Sequence, residues 1–166
     1  MNITDILNEQ RTRLDVPAAS KKRVLETLSE MLAATASAGN DGEDGEENPP
    51  APDRHAIFEG LCAREKLGST GLGHGVGLPH ARLGGLSSPM GALLRLSDTI
   101  DYDSPDRAGV DLVFALLVPE ESTEDHLQLL AQIASRFSDD ELRDALRNCG
   151  TPEQAIGLMT GAQAHE

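Results

Sequence analysis

Val110–Pro119 reads VDLVFALLVP, an apolar run broken by one acid near its start. A run of this length without polar alternation is expected of a central strand covered on both faces. Two covered faces require two covering layers, and the flanking sequence supplies helices for them. Gly91–Ser97 (GALLRLS) is predicted as a second strand and Arg13–Val16 as a brief third. Ser20 is placed to cap a helix over KKRVLETLSEMLAATA, where Val24, Leu25, Leu28, Met31 and Leu32 recur at helical spacing. Asp53 is placed to cap RHAIFEGLCAREKL, which Gly68 ends; Ile57, Phe58, Leu61 and Cys62 form its inner face. Ser122–Asp125 opens HLQLLAQIASRF, Ser138 with Glu141 makes a capping box before LRDALRN, and Thr151-Pro152-Glu153-Gln154 opens a last helix. Strands bracketed by helices in this order predict an α/β layered domain with a mixed sheet. No internal repeat is present.

The chain has 166 residues, which suits one domain spanning 1–166. Hydrophobic residues make up 39% and aromatic ones 2%, so the core must be aliphatic, and a base-stacking nucleic-acid platform is excluded. The formal net charge is −14, which removes a basic field for DNA or RNA. Cys62 and Cys149 make neither a disulfide framework nor a metal spacing. No apolar segment is long enough to span a bilayer and no apolar signal core opens the sequence, so no membrane insertion and a cytoplasmic location are expected. Residues 37–52 carry five acids (Asp41, Glu43, Asp44, Glu46 and Glu47) among Gly and Pro, and are expected to form a flexible, solvated loop.

Gly71–His80, GLGHGVGLPH, is the segment that carries chemistry. Its four glycines miss the dinucleotide spacing, because Val76 and Leu78 stand where a third glycine is required. There is no phosphate-binding Gly-Lys-Ser/Thr and no Gly-x-Ser-x-Gly elbow, and His74 and His80 lack a partner at zinc-binding spacing, so no metal or cofactor is expected. Glycines let a backbone turn N–H donors toward an anion, and Pro79 stiffens the approach to His80. A neutral imidazole there is a nucleophile for phosphorus. N–H groups around Gly71, Gly73 and Gly75 and the fork of Arg64 are expected to hold the resulting charge. His126, in the first turn of its helix, is biased toward the neutral form by the helix N-terminus and suits a hydrogen bond to a phosphoryl oxygen. His55 and His165 are assigned to the surface, and His74 to a loop.

AREKLGSTGLGHGVGLPHARL resembles the signature of enzyme IIA proteins of the mannitol/fructose type in the bacterial phosphotransferase system: Arg-Glu, a short gap, Ser-Thr-Gly-x-Gly-x-Gly, then apolar-Pro-His. VDLVFALLVPEESTEDHLQLLAQIA resembles that family's second block, and the wording REKLGSTGLG and the stand-alone domain point to its nitrogen-regulatory branch. The resemblance implies a three-layer α/β fold with a mixed, about five-stranded sheet. It implies phosphorylation of His80 on Nε2, with Arg64 and His126 supporting the phosphoryl group and Ser69, Thr70, Gly71, Gly73 and Gly75 around it. It implies a small histidine phosphocarrier as donor, no cofactor, and regulation of target proteins such as transporters or sensor kinases by phosphorylation state. A sugar-uptake component and a non-phosphorylated binding regulator are the alternatives. Three departures stand out: His74 where relatives commonly have Asn, Ala81 where Gly often follows the histidine, and the acidic insert.

Overall fold

The protein is described here by a computed structural model covering residues 2–38, 51–122 and 124–161. The elements in chain order are α1 (Ile3–Ile6), a 3-10 turn (Glu9–Arg11), β1 (Thr12–Val16), α2 (Lys21–Ala38), α3 (Arg54–Lys66), β2 (Gly71–Gly73), β3 (Val76–Gly77) and β4 (His80–Leu83). They continue with β5 (Met90–Ile100), β6 (Val110–Pro119), α4 (Glu124–Phe137), α5 (Asp140–Asn148) and α6 (Pro152–Thr160). Residues 39–50 of the acidic segment, Thr123 and His165 lie outside the described residues.

β6 is the central strand its sequence predicts. Leu112, Phe114, Leu116 and Val118 point into one apolar cluster with α1, α4, α5 and α6. Val113, Ala115 and Leu117 point into another with α2 and α3. Strand alternation thus delivers every second residue to an opposite layer, and three layers result. The helical stripe of α2 from Val24 to Leu32 lies wholly in the second cluster, as its spacing requires.

The sheet order is β1-β5-β6-β3-β2, with β4 also on β6. Pairing is parallel for β1 with β5 and for β3 and β4 with β6, and antiparallel for β5 with β6 and β2 with β3. Six strands appear where about five are expected, and the reason is local. Val76 lies opposite Leu112 and His80 opposite Leu116, so β3 and β4 share one register and form one broken strand. Pro79 interrupts it, having no N–H to donate. Its carbonyl still accepts from Leu116 N at 2.9 Å, while Leu78 N turns away to the Thr70 carbonyl at 3.0 Å.

Three helix starts follow the sequence and one departs from it. Ser20, at the start of α2, accepts from Arg23 N at 3.2 Å, Asp53 from Ala56 N at 2.8 Å and Thr151 from Gln154 N at 3.1 Å. α5 is capped by Asp139, which accepts from Glu141 N at 2.9 Å, and not by Ser138. α4 runs to Phe137, so the Ser138 hydroxyl closes that helix by donating to the Ser135 carbonyl at 2.7 Å.

The broken strand also sets a packing constraint. A Cβ on Gly77 falls 3.0 Å from Cε1 and Cζ of the buried Tyr102 ring. Gly77→Val is therefore expected to lower stability by about 1–3 kcal/mol, measured by urea unfolding. A midpoint equal to that of the native chain contradicts this packing.

Candidate active site

His80 opens β4 and is half-buried. Its Nδ1 lies 2.8 Å from the Leu78 carbonyl oxygen. A carbonyl only accepts, so Nδ1 carries the proton of the neutral ring, and Nε2 keeps its lone pair. The ring meets His126 edge-on, with centroids 5.4 Å apart and planes at 69°. His126 is the third residue of α4, in the first turn as its sequence position suggests. Its Nδ1 is buried with no hydrogen-bond partner among the described residues. A bare acceptor is tolerated there better than an orphaned N–H, which assigns the proton of neutral His126 to Nε2.

Both rings are held below the ordinary histidine range. For His80 burial is the main cause and the Arg64 charge adds to it, against the opposing bond to Leu78. For His126 burial comes first, then the charges of His80, Arg82 and Arg64. Both imidazoles are accordingly neutral near pH 7. Arg64, half-buried in the last turn of α3, donates to the Gly68 carbonyl at 2.9 Å.

Ser69 and Thr70 do not present free hydroxyls to this site. Ser69 Oγ donates to the Tyr102 carbonyl at 2.9 Å and accepts from Gly71 N at 3.1 Å. The Thr70 hydroxyl donates to Glu65 Oε2, and Thr70 N donates to Glu65 Oε1 at 3.1 Å. Glu65 is in turn paired with Lys21 Nζ at 2.8 Å, and Lys21 sits 4.5 Å above the centre of the Tyr102 ring. The Tyr102 hydroxyl, 3.3 Å from Glu65 Oε2, completes the cluster. This buried set anchors the turn between α3, which carries Arg64, and the segment leading to His80. Glu65 was visible beside Arg64 in the sequence, but Lys21 and Tyr102 are 44 and 37 residues from it, and only the fold brings them in.

The glycines form a hairpin rather than a cradle around His80. β2 and β3 pair through Gly71–Gly77 and Gly73–Val76, and His74 (φ 58°) and Gly75 (φ 83°) make the two-residue turn. Two positive φ values match the hairpin turn whose twist suits the strands. The tip is fastened far along β6. His74 N donates to Asp106 at 3.0 Å, and Arg147 binds both Asp111 at 3.0 Å and the His74 carbonyl at 2.7 Å. Gly75 O accepts from Asp111 and Leu112, whereas His80 is opposite Leu116. That places the Gly73–Gly75 tip about 15 Å along the strand from His80. Gly71 lies at the hairpin base beside Ser104. The structure therefore brings together His80, His126 and Arg64, and does not bring Gly73 and Gly75 to them. His74 is a turn residue, and His55 pairs with Glu59 on an exposed helix face.

Residues 5–161 match the family described as phosphoenolpyruvate-dependent sugar phosphotransferase system, EIIA 2. The chain belongs to this family. It is 42% identical over 163 residues to a nitrogen regulatory protein of Pseudomonas aeruginosa, covering 98% of this chain and 97% of that one. The crystal structure of nitrogen regulatory protein IIA-Ntr from Neisseria meningitidis is 36% identical, superposes with a TM-score of 0.83, and the match covers 95% of this chain and 98% of that one. The mannitol IIA of Escherichia coli shares the fold, with a TM-score of 0.72 at 15% identity, over 92% of this chain and 98% of that one. As an EIIA-type chain it is a component of a phosphotransferase system, and no helix among its described residues is long and apolar enough to cross a membrane.

The electrostatics give a direct check. Arg64→Ala removes a positive charge from the neighbourhood of both rings, so the pKa of His80 and of His126 is expected to rise. Ring titration by NMR reads this; two unchanged midpoints contradict the placement of Arg64.

Proposed function

We propose that this chain accepts a phosphoryl group on His80 Nε2 from the phosphohistidine of a small carrier protein, and regulates target proteins through its phosphorylation state. The observation that carries this reading is the Nδ1 hydrogen bond to Leu78, which leaves Nε2 as the nucleophile. Similarity to nitrogen regulatory proteins over nearly the whole chain supports the regulatory role.

In the transfer, the Nε2 lone pair forms the new P–N bond, and the donor's P–N bond breaks with its electron pair returning to the donor imidazole. His80 keeps its Nδ1 proton, and the ring's gain of positive charge is met by the Leu78 carbonyl. A donor ring protonated on its other nitrogen leaves as neutral imidazole, so no net proton moves. The phosphoryl oxygens are acceptors for the Arg64 guanidinium and for His126 Nε2–H. The remaining contribution of the protein is positioning, because the donor phosphate is already activated. Ser69 and Thr70 serve here as anchors of the turn and not as phosphate ligands.

Intact mass after incubation with phosphoenolpyruvate, enzyme I and the histidine phosphocarrier tests the reading. The native chain is expected to gain one phosphoryl group and His80→Ala none. No gain in the native chain, with a donor active on a control protein, overturns it.

A further inference from the structure

β4 carries a second cation that the sequence pattern left unassigned. His80 and Arg82 are two residues apart on one strand, so their side chains leave the same face about 7 Å apart. The neighbours identify that face. Ala81 and Leu83 lie against α3, where a Cβ on Gly60 falls 2.9 Å from Leu83 Cδ2 and 3.4 Å from Ala81 Cβ. His80 and Arg82 must project the other way. Their partners across the ladder, Leu116 and Val118, belong to the cluster under α4, the helix that bears His126.

Arg82 is exposed, and no hydrogen bond or ion pair ties its guanidinium among the described residues, although acids outnumber bases 28 to 14 in this chain. Three arginines of the sheet and helices are fastened to acids: Arg95 to Asp15, Arg147 to Asp111, and Arg143 to Asp140. The charge of Arg82 reaches the His126 ring and depresses its protonation ahead of Arg64. Arg64 approaches from the end of α3, the layer on the opposite side of the sheet.

We propose that Arg82 is the second guanidinium of the site, holding the phosphoryl group on His80 from the α4 side while Arg64 holds it from the α3 side. This rests on the phosphoryl-accepting role of His80. A phosphohistidine carries close to two negative charges at neutral pH. In a site flanked by two neutral imidazoles, a fork from each side neutralises it with directed N–H donors. Arg82 makes no bond to a donor protein in this account; it acts on the group in transit, and so on the rate of transfer within the complex.

Single-turnover transfer from the phosphorylated carrier to the full chain separates the possibilities. Arg82→Gln is expected to lower the maximal rate at saturating carrier by about tenfold, with the half-saturating carrier concentration and the unfolding midpoint unchanged. Arg82→Lys is expected to recover part of the rate, since it restores the charge without the fork. An unchanged maximal rate in Arg82→Gln overturns the proposal. So does a raised half-saturating concentration at an unchanged maximal rate, which makes Arg82 a docking residue. Failure of the native chain to accept phosphate at all overturns the underlying role of His80 instead.

Discussion

The hydrogen bond from His80 Nδ1 to the Leu78 carbonyl, 2.8 Å long, is the contact on which the rest of the site turns. The strand beside β6 is broken at Leu78–Pro79 while its register continues. Leu78 faces away from β6 and gives its N–H to Thr70, while the Pro79 carbonyl accepts from Leu116 N. The Leu78 carbonyl therefore lies off the β6 ladder, two residues before the histidine and within reach of its side chain. One tautomer follows, and with it one nucleophilic nitrogen.

Much of the architecture was legible in the sequence. The apolar run of β6 gave a doubly covered strand, and Ser20, Asp53 and Thr151 opened helices where their side chains predicted. The misjudged features depend on geometry between distant segments. Ser138 satisfies a local capping pattern, but α4 claims it first. The alternating glycines suit an anion cradle as well as a hairpin; Asp106, Asp111 and Arg147, all distant in sequence, fasten the hairpin. Ser69 and Thr70 look like phosphate ligands until Glu65 and Tyr102 occupy their hydroxyls. His80, His126 and Arg64, which the fold brings together, each sit at an element boundary that local sequence announces. Arg82 shares the period-two spacing of its strand with His80, a signal that acquires meaning once the faces of β4 are known.

The site is also an electrostatic exception within its own protein. The chain as a whole carries −14, yet the positive charges of Arg82 and Arg64 both reach the His126 ring. Burial keeps both imidazoles neutral, so the nucleophile stays available and the second ring does not repel an incoming cationic imidazole donor. Cations are thus reserved for the arginines, whose charge does not depend on pH in this range. The buried Glu65–Lys21 pair beneath the turn holds Arg64 and the approach to His80 to one framework. Chemistry and scaffold are divided between adjacent residues of the same helix, Arg64 and Glu65.

The protonation state of His80 decides which of its nitrogens can act as nucleophile. A two-bond 15N–1H correlation spectrum of the histidine rings in the unphosphorylated chain at pH 7 reads it directly. The predicted result is a neutral His80 with its proton on Nδ1 and a bare Nε2. A proton on Nε2, or a charged ring, contradicts the account, because the nitrogen assigned as nucleophile then has no lone pair to offer.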